Sequence, residues 1–137
     1  ADWRCDWVGM GVAEKLARAG CHVRIATNGL SPGESLVMLV RDQWLGTLHK
    51  LGVEIVPNVR LAGADGDSVY FAHRASGEPV ICEGVDTLVL AQGQKRVAVL
   101  EDALVDWEGE VIPIGDCLAP RTCEEAVLDG LKVGMEL

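Results

Sequence analysis

Long apolar runs are missing from this chain of 137 residues: none approaches the roughly 20 consecutive apolar residues that a membrane-crossing helix requires. No membrane association is expected. Also lacking is a positively charged start followed by an apolar core and a small-residue cleavage site, so nothing directs export and the expected location is cytoplasmic. Positive charge is scarce, with 12 Lys and Arg against 21 Asp and Glu and a formal net charge of -9. A chain so acidic, with no basic stripe interleaved with aromatics, repels a phosphate backbone and is not expected to bind nucleic acid. Paired cysteines are absent too. Cys5, Cys21, Cys82, Cys117 and Cys123 are odd in number and include no CxxC, and His22, His49 and His73 are scattered, so neither a disulfide framework nor a metal site is expected. The thiols are expected to be reduced and mostly buried; Cys117, just ahead of a helix start, is the candidate for a reactive one. There is no GxSxG elbow, no P-loop and no HExxH, and no catalytic residue is assigned.

What is present is an alternation of elements. Residues 8–19 place Val8, Val12, Ala13, Leu16 and Ala17 on one face, pair Glu14 with Arg18 and reach Gly20, which predicts a helix. Residues 22–27 alternate and end at Asn28-Gly29, a strand closed by a turn. After Ser31-Pro32-Gly33, residues 34–50 read as one or two helical pieces closed by Gly52, and 53–56 as a short strand stopped by Pro57. Runs at 59–62, 68–72 and 79–82, separated by turn-rich stretches, predict a three-stranded antiparallel meander within about 59–83. The run 87–91 is nearly uninterrupted in its apolar character, as for a strand covered on both faces, and leads into Gln92-Gly93. The predicted class is α/β: a Rossmann-like dinucleotide-binding sheet with helices on one side and the meander on the other.

The C-terminal part carries the most informative motif. An apolar strand at 112–114 stops at Gly115-Asp116, turns through Ala119-Pro120-Arg121 and opens a helix at Thr122 that runs to Leu137. Thr122-Cys123-Glu124-Glu125 fits a capping box, which by itself accounts for the helix start. It does not account for Gly115-Asp116 or Pro120-Arg121, and a helix N-terminus beside a carboxylate suits a phosphorylated ligand. Ala126, Gly130 and Gly134 recur every four residues, permitting close approach of this helix to a sheet.

The element order, with Leu88-Val89-Leu90-Ala91-Gln92-Gly93 and then Gly115-Asp116-Cys117-Leu118-Ala119-Pro120-Arg121-Thr122, resembles the C-terminal FAD- and NAD(P)-binding region of the old-yellow-enzyme-related multidomain flavin oxidoreductases. That group includes trimethylamine, dimethylamine and histamine dehydrogenases and 2,4-dienoyl-CoA reductase. The resemblance implies an NAD(P)- or ADP-binding-like domain over 1–108 and a C-terminal piece of an FAD-binding-like domain over 109–137. It also implies that FMN and an iron-sulfur cluster belong to a barrel that is not in this sequence, and that chemistry resides there. Asp116 would bond a ribityl hydroxyl of the flavin, with Thr122 at the helix end facing its phosphates.

The N-terminal segment fits and departs from that pattern at once. Trp7-Val8-Gly9-Met10-Gly11-Val12 matches the end of a glycine fingerprint, with Gly9 in its third position, but the first two positions fall on Arg4 and Asp6. Asp6 would bring bulk and like charge toward a pyrophosphate, which argues against ordinary NAD(P)H binding. A plain helix start with Gly9 and Gly11 chosen for packing is the competing reading. The strand that precedes the fingerprint would end where Ala1 stands, so the first strand is expected to be missing and its place filled by a companion polypeptide, by a second copy in a homo-oligomer, or by the remainder of a longer chain. At the end of the second strand Asn28 stands where an acidic residue usually meets the adenosine ribose; it either bonds a hydroxyl or starts the turn. The four tryptophans are expected to pack, with Trp3 and Trp7 alternatively stacking on an adenine.

Cofactor-facing candidates are therefore Gly9, Gly11, Asn28 and Gly93 in the first part and Gly115, Asp116, Arg121 and Thr122 in the second. The expected function is the cofactor-binding portion of a flavin-dependent oxidoreductase, with ADP, FAD or NAD(P)H as ligand and no catalysis by itself. The alternative is a stand-alone structural or interaction module that has kept the fold and lost the ligand.

Overall fold

The structure, a computed structural model, describes residues 1–137 and divides into two compact units, Ala1–Gly93 and Gln94–Leu137. Residues 94–108 thus fall in the second unit.

In the first unit, α1 spans Trp7–Arg18, β1 Arg24–Ala26, α2 Met38–Lys50 and β2 Glu54–Val56. β1 and β2 pair in parallel, Ile25 opposite Ile55. The meander follows as β3 Val59–Asp65, β4 Ser68–His73 and β5 Pro79–Cys82, antiparallel in that order, with a register shift between Leu61 and Gly63. Successive residues of β1 face opposite layers, as a strand's period of two requires. Ile25 packs with Met10, Ala13, Leu48 and Val53 against the two helices. Ala26 packs with Val59, Val69, Phe71 and Cys82 against the meander. A mixed α/β unit with helices on one side and a three-stranded sheet on the other is the architecture expected.

Two polar contacts hold the helices. Glu14 on α1 accepts from Arg18 Nε at 2.8 Å and from the Trp44 indole N–H of α2 at 2.8 Å. Bonds from Arg18 and then Trp44 hold its carboxyl below the usual carboxylate range. The second helix begins at Met38 rather than near residue 34, because 32–36 is spent on a turn in which Leu36 N–H bonds Gly33 C=O at 2.9 Å.

The expectation for 87–91 needs correction. The segment is extended but forms no continuous ladder, and Val89 and Leu90 are exposed rather than covered on both faces. Its pairing is confined to residues 1–3: Ala91 N–H donates to Ala1 C=O at 2.9 Å and Trp3 N–H to Ala91 C=O at 3.0 Å. Asp2 forms parallel bridges to Thr27 on one side and Ala91 on the other, so residues 1–3 lie between β1 and this segment.

In the second unit, α3 spans Val99–Ala103, a short helix not foreseen from sequence, and α4 spans Cys123–Glu136. The strand expected at 112–114 does not form. Those residues are extended but unpaired, and a strand without a neighbour in its unit gains no ladder bonds. The α4 capping box is present: Glu125 accepts from Thr122 N–H at 2.9 Å and from the Thr122 hydroxyl. Ala126 and Gly130 do permit close approach, although to this extended segment and not to a sheet.

Two composition-level expectations also change. Cys5 and Cys82 are buried, but Cys21, Cys117 and Cys123 are exposed. Of the tryptophans, Trp44 packs between the helices, whereas Trp3, Trp7 and Trp107 are about half exposed or more, at 47%, 55% and 64%. No helix is long and apolar enough to cross a membrane.

Candidate functional site

The parallel elements of the first unit end together at Trp3, Asn28 and Gln92. Beyond the carboxyl ends of parallel strands is where α/β sheets take ligands. A hollow of about 240 Å³ opens there, lined among others by Trp3, Asn28, Arg60 and Gln92. Asn28 is pinned through its backbone: its N–H donates to Asp2 C=O at 3.0 Å, and its C=O accepts from Arg74 Nη1 at 2.7 Å. Its side-chain Oδ1 is buried with no partner. A turn of this side chain toward the hollow would let that oxygen accept from a hydroxyl such as a ribose supplies. Arg60, Arg74 and Gln92 carried no sequence signal beyond their types, because only the fold brings them beside Asn28.

The start of α1 is built differently. Asp6 is its N-cap, and its Oδ1 accepts from Val8 N–H at 2.9 Å. Arg4 Nε pairs with the other carboxylate oxygen at 3.2 Å. A carboxylate thus already occupies the electropositive end of the helix, neutralised in turn by an arginine. The residues present do not fit a pyrophosphate at this end. Gly93 adopts φ +104°, and a Cβ there would lie 3.5 Å from the Arg4 stem.

Gly9 is required by packing, whereas Gly11, on the opposite side of α1, has room for a side chain. A Cβ at Gly9 would lie 2.4 Å from Asp2 Oδ2, and one at Gly11 would lie 3.5 Å from the Trp44 ring. Close helix-to-strand approach is the third fingerprint glycine's task. Asp2 itself is an unexpected feature: it is 3% exposed, its Oδ1 accepts from Cys5 N–H at 3.0 Å, and its Oδ2 has no partner. Burial pushes its carboxyl above the usual range. Cys5 holds φ +51° and its sulfur accepts from Gly29 N–H at 3.1 Å, with burial raising the thiol.

In the second unit, Gly115, Asp116, Arg121 and Thr122 are brought near the start of α4. Gly115 is buried at φ +60°, and its N–H donates to Asp129 Oδ2 at 3.2 Å. Arg121 also turns onto Asp129, making a short ion pair. Asp116 is exposed in a single turn of 3₁₀ helix over Gly115–Cys117 and makes no side-chain bond of its own. Arg96 bonds Glu101 at 3.0 Å and reaches the Cys117 carbonyl at 3.4 Å. Of these four, Asp116 keeps a carboxylate free for an external donor, while Arg121 and Thr122 spend their polar groups on the fold.

No family model matches the chain. Among curated proteins it is similar to N,N-dimethylglycine/sarcosine dehydrogenase of Chromohalobacter salexigens, 23% identical over 94% of this chain and 23% of that protein. Among solved structures, histamine dehydrogenase from Rhizobium sp. 4-9 aligns with a TM-score of 0.88 at 23% identity, over 99% of this chain and 22% of the other. The 6-hydroxypseudooxynicotine amine oxidase of Pseudomonas geniculata N1 aligns at 0.87 with 28% identity, over 97% and 21%. A 2-naphthoyl-CoA reductase aligns at 0.81 with 26% identity, over 98% and 20%. The chain therefore spans between 20% and 23% of the length of these relatives. Its structural neighbours are old-yellow-enzyme-related flavin oxidoreductases, the group that its sequence motifs resemble.

Proposed function

We propose that this chain is a nucleotide-holding portion of a flavin-dependent oxidoreductase related to the amine dehydrogenases and dienoyl-CoA-type reductases, binding an adenine nucleotide and performing no chemistry itself. The observation that carries this reading is the hollow at the strand ends, lined by Trp3, Asn28 and Arg60. Asn28 would accept from a ribose hydroxyl, Arg60 would supply positive charge, and Trp3, half exposed beside them, would offer a ring face to an adenine. Asp6 and Arg4 already fill the helix end where the diphosphate of ADP or of a dinucleotide would lie, so the reading rests on the adenine and ribose contacts and on phosphates turned away from that end. Asp116 is the residue of the second unit that would meet a flavin hydroxyl. A bound flavin supplies electron and hydride transfer; this chain's residues orient and hold.

A second reading, a module that has lost its ligand, draws on the same Asp6 cap, which leaves α1 satisfied without any anion. The two separate in a thermal-shift titration. Binding at one hundred times Kd stabilises by about 2.7 kcal/mol, so ADP should raise Tm, and Asn28→Ala should abolish the rise. If millimolar ADP, NADH and FAD all leave Tm unchanged, the nucleotide-holding reading is wrong and the second stands.

A further inference from the structure

Asn28-Gly29, just past the end of β1, is a sequence with a chemistry of its own. A glycine's amide nitrogen, with no side chain in the way, can attack the side-chain carbonyl of an asparagine that precedes it. The new bond joins Gly29 N to Asn28 Cγ, the Cγ–Nδ2 bond breaks, and Nδ2 leaves as ammonia with the proton that Gly29 N–H gave up. Water then opens the cyclic imide, at one carbonyl to aspartate and at the other to isoaspartate. The attack needs a nitrogen that has lost its proton, a peptide free to turn, and a polarised carbonyl.

The fold withholds all three. Gly29 N–H donates to Cys5 Sγ at 3.1 Å. Burial raises that thiol, so the sulfur is an uncharged acceptor and not a base. The peptide is tied through each of its polar backbone groups: Asn28 N–H donates to Asp2 C=O at 3.0 Å, and Asn28 C=O accepts from Arg74 at 2.7 Å. Gly29 C=O accepts from Asn58 N–H at 2.8 Å and from the Thr27 hydroxyl at 3.0 Å. Asn28 Oδ1 is buried with no donor to draw charge from the carbonyl carbon. The sulfur is held in place against the backbone's own preference. Cys5 has φ +51°, a disfavoured region for a residue with a side chain, fixed by its N–H on Asp2 Oδ1 and by the Ser35 N–H and hydroxyl on its C=O.

We propose that Asn28-Gly29 is a deamidation site that the Cys5 thiol holds in check, keeping an uncharged amide at the end of β1. Losing the bond to the thiol frees the Gly29 nitrogen, and Asn28 converts to aspartate or isoaspartate. Aspartate would put at the hollow the acid that dinucleotide-binding sheets commonly offer a ribose hydroxyl, and isoaspartate would lengthen the main chain and disturb the bonds that Asn28 makes. That consequence for a ligand rests on the nucleotide-holding reading, whereas the conversion itself is measured with no nucleotide present.

Conversion is followed by peptide mass spectrometry, with isoaspartate separated by chromatography, at mildly alkaline pH and below the unfolding temperature. The same chain unfolded in guanidinium chloride gives the unhindered rate. The folded chain should convert at least about a hundredfold more slowly, because the reaction waits on local opening. Cys5→Ala removes the acceptor of the Gly29 N–H and should convert about two- to tenfold faster than the folded parent. Cys5→Ser keeps an acceptor there and should stay nearer the parent's rate. Val53→Ala, a core substitution away from this peptide, controls for general loosening and should accelerate conversion less for the same loss of Tm. The proposal is overturned if the folded and unfolded chains convert alike, if Cys5→Ala converts at the parent's rate, or if Val53→Ala matches Cys5→Ala at equal loss of Tm.

Discussion

Gly9→Ala should destabilise the first unit even though alanine is the better helix former. In an open helix interior the change gains about 1 kcal/mol. At Gly9 the new methyl would lie 2.4 Å from Asp2 Oδ2, 2.5 Å from Cγ and 2.9 Å from Cβ, and Asp2 is buried with nowhere to swing. Overpacking of this kind costs about 1–3 kcal/mol. Displacing Asp2 also breaks its bond from Cys5 N–H, worth about 1.5–3 kcal/mol when the acceptor is charged. The net is a loss of about 1.5–5 kcal/mol, which in a unit of this size lowers Tm by at least about 6 °C. Gly46→Ala is the internal control, since nothing lies within 4 Å of a Cβ there and the position is an exposed interior turn of α2. It should stabilise by up to about 1 kcal/mol. Urea unfolding followed by circular dichroism measures both. Asp2→Ala combined with Gly9→Ala should be non-additive, because only the 2.9 Å contact then remains. The reasoning fails if Gly9→Ala is as benign as Gly46→Ala, or if the double variant is simply additive.

Asp2→Asn should stabilise at neutral pH. Because burial raises the folded-state pKa of Asp2 above its unfolded value, the native state holds the proton more tightly, and stability falls as pH rises from near 3.8 through the folded pKa. The variant should lack that decline and match the parent below the window; urea midpoints from pH 3 to 7 would show an unchanged slope if the burial argument is wrong. Glu125 titrates with the opposite sign, since the Thr122 hydroxyl and N–H lower its pKa. Its contribution to α4 is present above pH 4.5 and disappears as pH falls through the folded pKa, so Glu125→Gln should flatten the acid limb of α4 helicity followed by amide exchange. Thr122→Ala should weaken the same helix by about 1 kcal/mol, and undiminished protection in its first turn would contradict the cap.

The elements that could be read from sequence are those whose stability is local or whose pattern repeats. The run Val12, Ala13, Leu16 and Ala17 returns every third or fourth residue whatever surrounds it, and the meander's turns are written in Asp65-Gly66-Asp67 and Ser76-Gly77. The runs at 87–91 and 112–114 have equally good strand composition and are not built into ladders, because a strand is defined by its neighbours and composition does not name them. The helix onset at Met38 was hidden for a related reason: Val37 provides no capping side chain, so the start is set by how the preceding turn packs.

The candidate site follows the same division. Gly9 could be placed because a glycine at that spacing leaves room for a close neighbour, and in the fold that neighbour is the Asp2 side chain. Asp6, by contrast, reads in sequence as an obstacle to a phosphate, whereas in the fold it takes the phosphate's place, accepting from Val8 N–H and drawing in Arg4. The two descriptions have different consequences. An obstacle would leave the helix end frustrated and its removal neutral or favourable; a substitute makes the end self-sufficient, so Asp6→Gly removes a cap as well as a charge. A regained affinity for pyrophosphate in that variant would therefore come with an α1 less stable by about a few tenths of a kcal/mol, and by more, about 1 kcal/mol, in Asp6→Ala; variants that gained affinity with no such losses would show that Asp6 is merely in the way.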